Sequence, residues 1–368
     1  MTRTQRLGLA AAMVGTLILL AAFFGQQRQP ASGTAAGEPW LEGLKPALGE
    51  IRRIDLASPK ARSSLRLQAG AWGLSERESY PVDMERLGDL LKELSAARVI
   101  EQKTAKPEFF GRLGLEDIDT PESTAVLVEI WRDDTAPAWR VLVGNAAEGR
   151  KGRYVRLAGE AQTWLVDRSP QAFADPADWI DRRLIGLDFE RVAGVTRSLA
   201  DGSGFEASRP DAATTSLALA SLPAGKRPRY DSVFDAAARA VITAEAEDVR
   251  KATDEAFAGA SLASNRIHFL DGLTLDIDAV KAADGNWIRV RASGEPAVQG
   301  DSSSGVAKDA AASPAAPDPV AESAAINARL SGWSFKVSDY IYGELAKPLD
   351  EYIESVTPEE GKADDTAS

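Results

Sequence analysis

The sequence predicts an α+β fold of duplicated antiparallel strand-strand-helix units, forming a two-part body preceded by one transmembrane helix. Three observations predict it. Short stretches of apolar–polar alternation, the period of half-buried strands, fill residues 50–166 and return after residue 192. A helical period interrupts them, with Leu87, Leu90, Leu91 and Leu94 at i, i+3, i+4 and i+7. The run Ala71-Trp72-Gly73-Leu74, Tyr80-Pro81-Val82-Asp83 and helix is echoed by Gly332-Trp333-Ser334-Phe335, Asp339-Tyr340 and a second apolar stripe. Repeated units of this kind imply duplication.

Taken in order, residues 7–24 (LGLAAAMVGTLILLAAFF) are uncharged and follow Arg3 and Arg6. Eighteen helical residues reach roughly 27 Å, enough for a bilayer core. The preceding arginines put residues 1–6 in the cytoplasm as a stub and the bulk outside. No A-x-A site follows Phe24, so the run reads as an uncleaved anchor rather than a removed signal peptide. Residues 25–39 (GQQRQPASGTAAGEP) read as a flexible tether.

A first α+β domain is expected over residues 40–188. It has strands at 50–57, 64–68, 125–131, 139–143, 154–157 and 163–166, and a helix beginning after Asp83 with Glu85 in its first turn. Pro170 and Pro176 read as helix starts, and 179–185 as a short closing helix. A second domain is expected over 189–356, with strands across 192–207 and at 266–270, 273–277 and 287–291. Phe234, Ala237 and Val241 mark a helix within 232–241, and Gly204-Phe205-Glu206-Ala207 before it reads as a weaker third copy of the unit. Residues 294–325, rich in Ser, Ala, Pro and Asp, read as a disordered insertion. Order returns at 332–337, followed by a helical stripe of Ile341, Leu345, Leu349 and Ile353. Residues 357–368 read as an acidic disordered tail.

Composition then excludes several classes. The 368 residues carry a net charge of −12, which disfavours nucleic acid as a partner. Without cysteine there is no disulfide, thiolate metal site or catalytic thiol, and one histidine, His268, argues against a histidine metal site.

The strongest false lead is VGNAAEGRKGRYVRL, residues 143–157, whose Gly144 and Gly149 mimic a phosphate-cradling loop. Arg150 stands where that loop needs lysine, Lys151 where it needs a hydroxyl, and a strand follows in place of a helix. A hairpin turn explains the glycines, so no nucleotide is expected. Arg150, Lys151, Arg153 and Arg156 are candidate partner-contact residues, against the reading of a charged, solvated hairpin edge. Asp271, Asp276 and Asp278 do not match a calcium loop and read as a turn and solvent-facing strand positions. A Ser-His-Asp triad would have to join His268 to Ser261 or Ser264 without a nucleophile elbow. Trp72, Trp131, Trp139, Trp164, Trp179, Trp287 and Trp333 lie in apolar patterns, as core rather than as a sugar platform.

Trp72-Gly-Leu-Ser with Tyr80-Pro-Val-Asp, Val99-Ile-Glu-Gln-Lys-Thr, Phe110-Gly-Arg-Leu-Gly-Leu-Glu-Asp and Val143-Gly-Asn with Gly152-Arg-Tyr-Val-Arg-Leu occur in an order that resembles the bacterial domain-of-unknown-function family 4340. The resemblance covers most of residues 50–188 and, diffusely, the second half. It implies a single-pass envelope protein encoded beside ABC transporters of the gliding-motility type. The expectation is therefore a non-catalytic accessory or scaffold protein in the bacterial inner membrane, its bulk in the periplasm. Its partners would be permease or auxiliary subunits of an ABC-type transporter, with no cofactor, metal or catalytic residue. A cell-envelope polysaccharide-binding protein and a periplasmic hydrolase are the alternatives.

Overall fold

The computed structural model describes residues 36–211, 214–258, 262–295 and 318–356. The expected anchor at 7–24, with its stub, most of the tether and the acidic tail, lies outside these residues. Among the described residues no helix is long and apolar enough to cross a membrane.

The first nine strands are β1 (Arg53–Ala57), β2 (Arg62–Gln68), β3 (Ala71–Leu74), β4 (Tyr80–Pro81), β5 (Val99–Gln102), β6 (Val126–Trp131), β7 (Trp139–Ala146), β8 (Arg153–Leu157) and β9 (Thr163–Val166). The rest are β10 (Val192–Leu199), β11 (Gly204–Ser208), β12 (Ala218–Leu219), β13 (Lys226–Pro228), β14 (Asp248–Lys251), β15 (Ala263–Phe269), β16 (Leu273–Ala282), β17 (Gly285–Gly294), β18 (Trp333–Val337) and β19 (Ile353–Ser355). The fold is thus mixed α and β, with mostly antiparallel sheets and few helices.

Two compact units divide the described residues, those up to 62 with 85–174 and 63–84 with those from 175 on. In the first, antiparallel neighbours run β1-β6-β7-β8-β9-β5. Alternation decides which side chains turn inward: Ile54 opposes Ile130, Leu56 opposes Val128, and Val128 opposes Val141, all buried. Helix Met84–Ala96 buries Leu87, Leu90 and Leu94, as the 3.6-residue period requires, while Leu91 is half-buried. Order begins earlier than the tether reading allows. Gly37 donates to the Val99 carbonyl at 2.7 Å and Val99 donates back to Glu38 at 3.0 Å.

The second unit contains the hairpin β2-β3-β4, contrary to the expected boundary at residue 188. Long-range side-chain contacts decide this, and local pattern cannot reveal them. Arg77 grips Asp248 with two hydrogen bonds of 2.6 and 3.0 Å, and Tyr80 meets Trp333 edge-on at 4.9 Å. Val82 bridges to Ile180 and Asp83 donates to the Trp179 carbonyl.

An eight-stranded sheet, β12-β11-β10-β15-β16-β17-β18-β14, forms the rest of this unit beside the pair β13-β19. Its inner face carries Val195, Ile267, Leu275, Ile277, Ile288 and Val290. Helix Asp339–Ala346 packs on β15, β16 and β17 and against helix Asp235–Ile242. The expected closing helix at 179–185 is absent. A short 3-10 turn ends at Trp179, and Arg183 bridges to Glu245, so the backbone hydrogen bonds of this stretch go to distant chain. Pro170 starts no helix.

The stripe expected through Ile353 is also broken. Lys347 takes an extended ψ of 123° before Pro348, which ends the helix, and Ile353 enters β19.

Part of the expected disordered insertion is ordered. Gly294 closes β17, and helix Pro319–Leu330 lies against β17, capped by Asp318, which accepts from Val320 at 3.1 Å. Asn327 accepts from the Ala292 amide at 2.9 Å and donates to its carbonyl at 2.7 Å, imitating a strand neighbour. The helix therefore occupies edge groups that β18, paired only through Asn286, Trp287 and Ile288, leaves open. Residues 296–317 lie outside the described residues.

Tyr80 gives a pH-dependence. Burial, with Asp181 nearby, pushes its phenol from 10.0 up to about 12. A raised folded value means stability is complete below pH 10 and falls as the pH rises toward 12. Two units correspond to about 2.7 kcal/mol. Urea titrations from pH 9 to 12 are expected to show a shallower decline for Tyr80→Phe than for the parent. Parallel curves would mean the phenol is not held neutral by the fold.

Candidate functional site

The glycine-rich stretch is a hairpin. Gly144 lies within β7, where an added Cβ would stand 2.4 Å from the Leu113 carbonyl oxygen, so its role is close backbone approach. Ala147 donates to the Gly152 carbonyl at 2.9 Å, Gly152 takes φ 126°, and β8 begins at the next residue. A strand follows the loop where a phosphate cradle needs the start of a helix.

The four basic residues divide. Arg150 and Lys151 face solvent, and Arg150 pairs with Glu101 at 2.7 Å. Hydrogen bonds from Lys103, then Arg150, hold the Glu101 carboxyl below its usual range. Arg153 turns inward to the Gly144 carbonyl at 3.1 Å, and burial pushes its guanidinium down. Arg156 is 2% exposed, donating to Leu115 and Glu160 carbonyls and to Asp117, and lying 4.6 Å from the Phe110 ring centroid. The run is therefore not one contact surface. Arg156 holds the chain around Leu115, and only Arg150 and Lys151 remain exposed as contact candidates.

The other nominated residues are also placed by structural contacts. Asp271 pairs with Arg191 at 2.6 Å and Asp276 with Arg266 at 2.6 Å. Asp278 accepts from Ser264 at 2.7 Å and from Arg289 at 2.8 Å. His268 is exposed opposite Thr274, four residues from Ser264 on one strand, so about 13 Å separates them and no triad forms. Ser261 lies outside the described residues. Trp164, Trp179 and Trp287 are buried, and Trp72, Trp131, Trp139 and Trp333 half-buried. Cations already cover one face of three of them: Arg53 on Trp131, Arg250 on Trp287 and Lys251 on Trp333.

A different place offers binding chemistry. In the second unit an open cleft of about 470 Å³ lies between the 3-10 turn Phe189–Arg191, the chain after β11 and the start of helix Asp235–Ile242. Arg209 directs one amino group to the Phe189 and Glu190 carbonyls at 3.1 and 2.7 Å, while its Nε is buried without a partner. Arg239 lies 3.7 Å from the Phe189 ring centroid and makes no ion pair among the described residues. Asp235 is turned inward and accepts from the Leu217 amide at 2.8 Å. Sequence reading passed over both arginines, because Ser208-Arg209-Pro210 and an arginine in an alanine-rich helix look like ordinary surface.

The fold is a mostly antiparallel α+β one that carries an open polar cleft. The sequence profile described as domain of unknown function (DUF4340) matches residues 72–261, just over half of the chain, and the chain belongs to this family. The match begins at Trp72 in β3, so of the hairpin that joins the second unit it takes in most of β3 and all of β4 but not β2. Comparison with curated proteins and with solved structures gives no significant match.

Proposed function

We propose that this protein is a non-catalytic, membrane-anchored accessory or scaffold of an ABC-type transport complex, with its body in the periplasm. The observation that carries the binding reading is how its polar groups are used. Ser264, Asp271, Asp276, Asp278 and Arg156 are tied into structural pairs, while the exposed guanidinium of Arg239, without an ion pair among the described residues, sits in an open cleft suited to holding a molecule. The apolar run at 7–24 behind Arg3 and Arg6 supports the anchor, and the family resemblance supports the transporter. We also take the two strand-helix units at Trp72 and Trp333 as products of duplication: β3 precedes helix Met84–Ala96 as β18 precedes helix Asp339–Ala346.

Affinity purification of the full-length protein from solubilised membranes, with mass spectrometry of what accompanies it, tests this. Permease and ATP-binding subunits are expected to co-elute. Recovery from the soluble fraction, starting beyond Phe24, overturns the anchor, and elution without transporter subunits overturns the partner.

A further inference from the structure

We infer that the cleft at Arg209 and Arg239 binds an acidic sugar, a hydroxyl-rich ring bearing a carboxylate or a phosphate; this rests on the non-catalytic binding reading. In a chain of net charge −12, several exposed or half-buried guanidinium groups of the second unit have found carboxylates. Arg191 holds Asp271 and Glu322, Arg289 holds Asp278 and Asp254, and Arg329 holds Asp181. Arg209 and Arg239 have none among the described residues, although they line one cleft. Its seat over the Phe189 ring, 3.7 Å from the centroid, holds the Arg239 guanidinium at the cleft and leaves N–H donors for an acceptor outside the chain. A carboxylate or phosphate fits that edge, because planar paired donors match paired oxygens.

The rest of the lining fits a polyol. Thr215 and Ser232 present hydroxyls to the cleft, and exposed Glu190 supplies an acceptor for ligand hydroxyls. Tyr230, 58% exposed, offers a ring surface for the apolar face of a sugar. Asp235, whose negative charge would oppose an anion, is already engaged by Leu217. A volume near 470 Å³ falls within the range of small-molecule sites.

Calorimetric titration of the full-length protein in detergent with glucuronate, glucose 1-phosphate, glucose and inorganic phosphate tests the assignment. At least one acidic sugar is expected to bind about tenfold or more tightly than either glucose or phosphate alone, and which one wins identifies the acidic group. Arg239→Gln is expected to remove that preference at an unchanged melting temperature. If that variant unfolds, Tyr230→Ala replaces it and is expected to weaken the sugar while leaving inorganic phosphate unaffected. Equal binding of glucose and glucuronate, equal binding of free phosphate and sugar phosphate, or variants that bind like the parent would overturn the inference. Co-purification with a transporter is read separately, so a failed titration leaves the accessory role standing.

Discussion

Leu345→Asp is expected to lower stability by at least about 4 kcal/mol, because it places a carboxylate where no partner or water can reach it. Leu345 is fully buried on helix Asp339–Ala346, between the sheet and helix Asp235–Ile242, and its carbonyl accepts from Asn265 at 3.1 Å. Tyr340, five residues earlier on the same helix and 70% exposed, is the control, and Tyr340→Ala should change stability by no more than about 0.5 kcal/mol. Urea unfolding of both variants decides the matter. If Leu345→Asp unfolds like the parent, the helix does not form the inner layer of the second unit.

Arg197→Ala is expected to cost about 3–5 kcal/mol, through a cavity and through hydrogen-bond partners left dry. The side chain is 1% exposed, yet it meets no carboxylate within salt-bridge distance among the described residues. Its Nε donates to Asn265 at 2.7 Å, and one amino group donates to the Lys347 carbonyl at 2.8 Å and the Tyr352 hydroxyl at 2.9 Å. Phe205 and Tyr352 flank it, and burial pushes its guanidinium below the ordinary value. Arg197 therefore ties the segment after Pro348 to β10, where helical pattern ends. Arg197→Met keeps the stem and removes both the hydrogen bonds and the buried charge, so it should cost clearly less than the alanine variant. Equal melting temperatures for parent and Arg197→Ala would show that this tie contributes nothing.

How far the fold was legible follows from these residues. The strand at 125–131 was readable from local alternation, and that at 163–166 from a short apolar run buried on both faces. Helix Pro319–Leu330 was readable too, from the Asp318 cap, Pro319 and buried positions 319, 323, 326 and 330. It was overlooked because the composition of 294–325 taken as a whole hides four well-spaced side chains. Arg197 shares a strand face with buried Val195, but an arginine within a strand carries no local sign of burial, and Arg156 sat in a basic run that looked like surface. The cleft was not legible, since Phe189, Arg209 and Arg239 meet only after β10, β11 and helix Asp235–Ile242 are in place.

By itself the sequence determined the strands at 125–131 and 139–143, the turn at Gly152, the helix over Leu87, Leu90 and Leu94, and family membership through the order of short motifs. These depend on neighbours within a few residues, where backbone sterics and a repeating apolar face suffice. Only the tertiary structure decided that residues 63–84 join the second unit, that Arg156 and Arg197 turn inward, and that Arg239 meets an aromatic ring and, among the described residues, no carboxylate. Those outcomes depend on which distant groups compete for the same guanidinium or strand edge, and chain proximity carries no information about that competition.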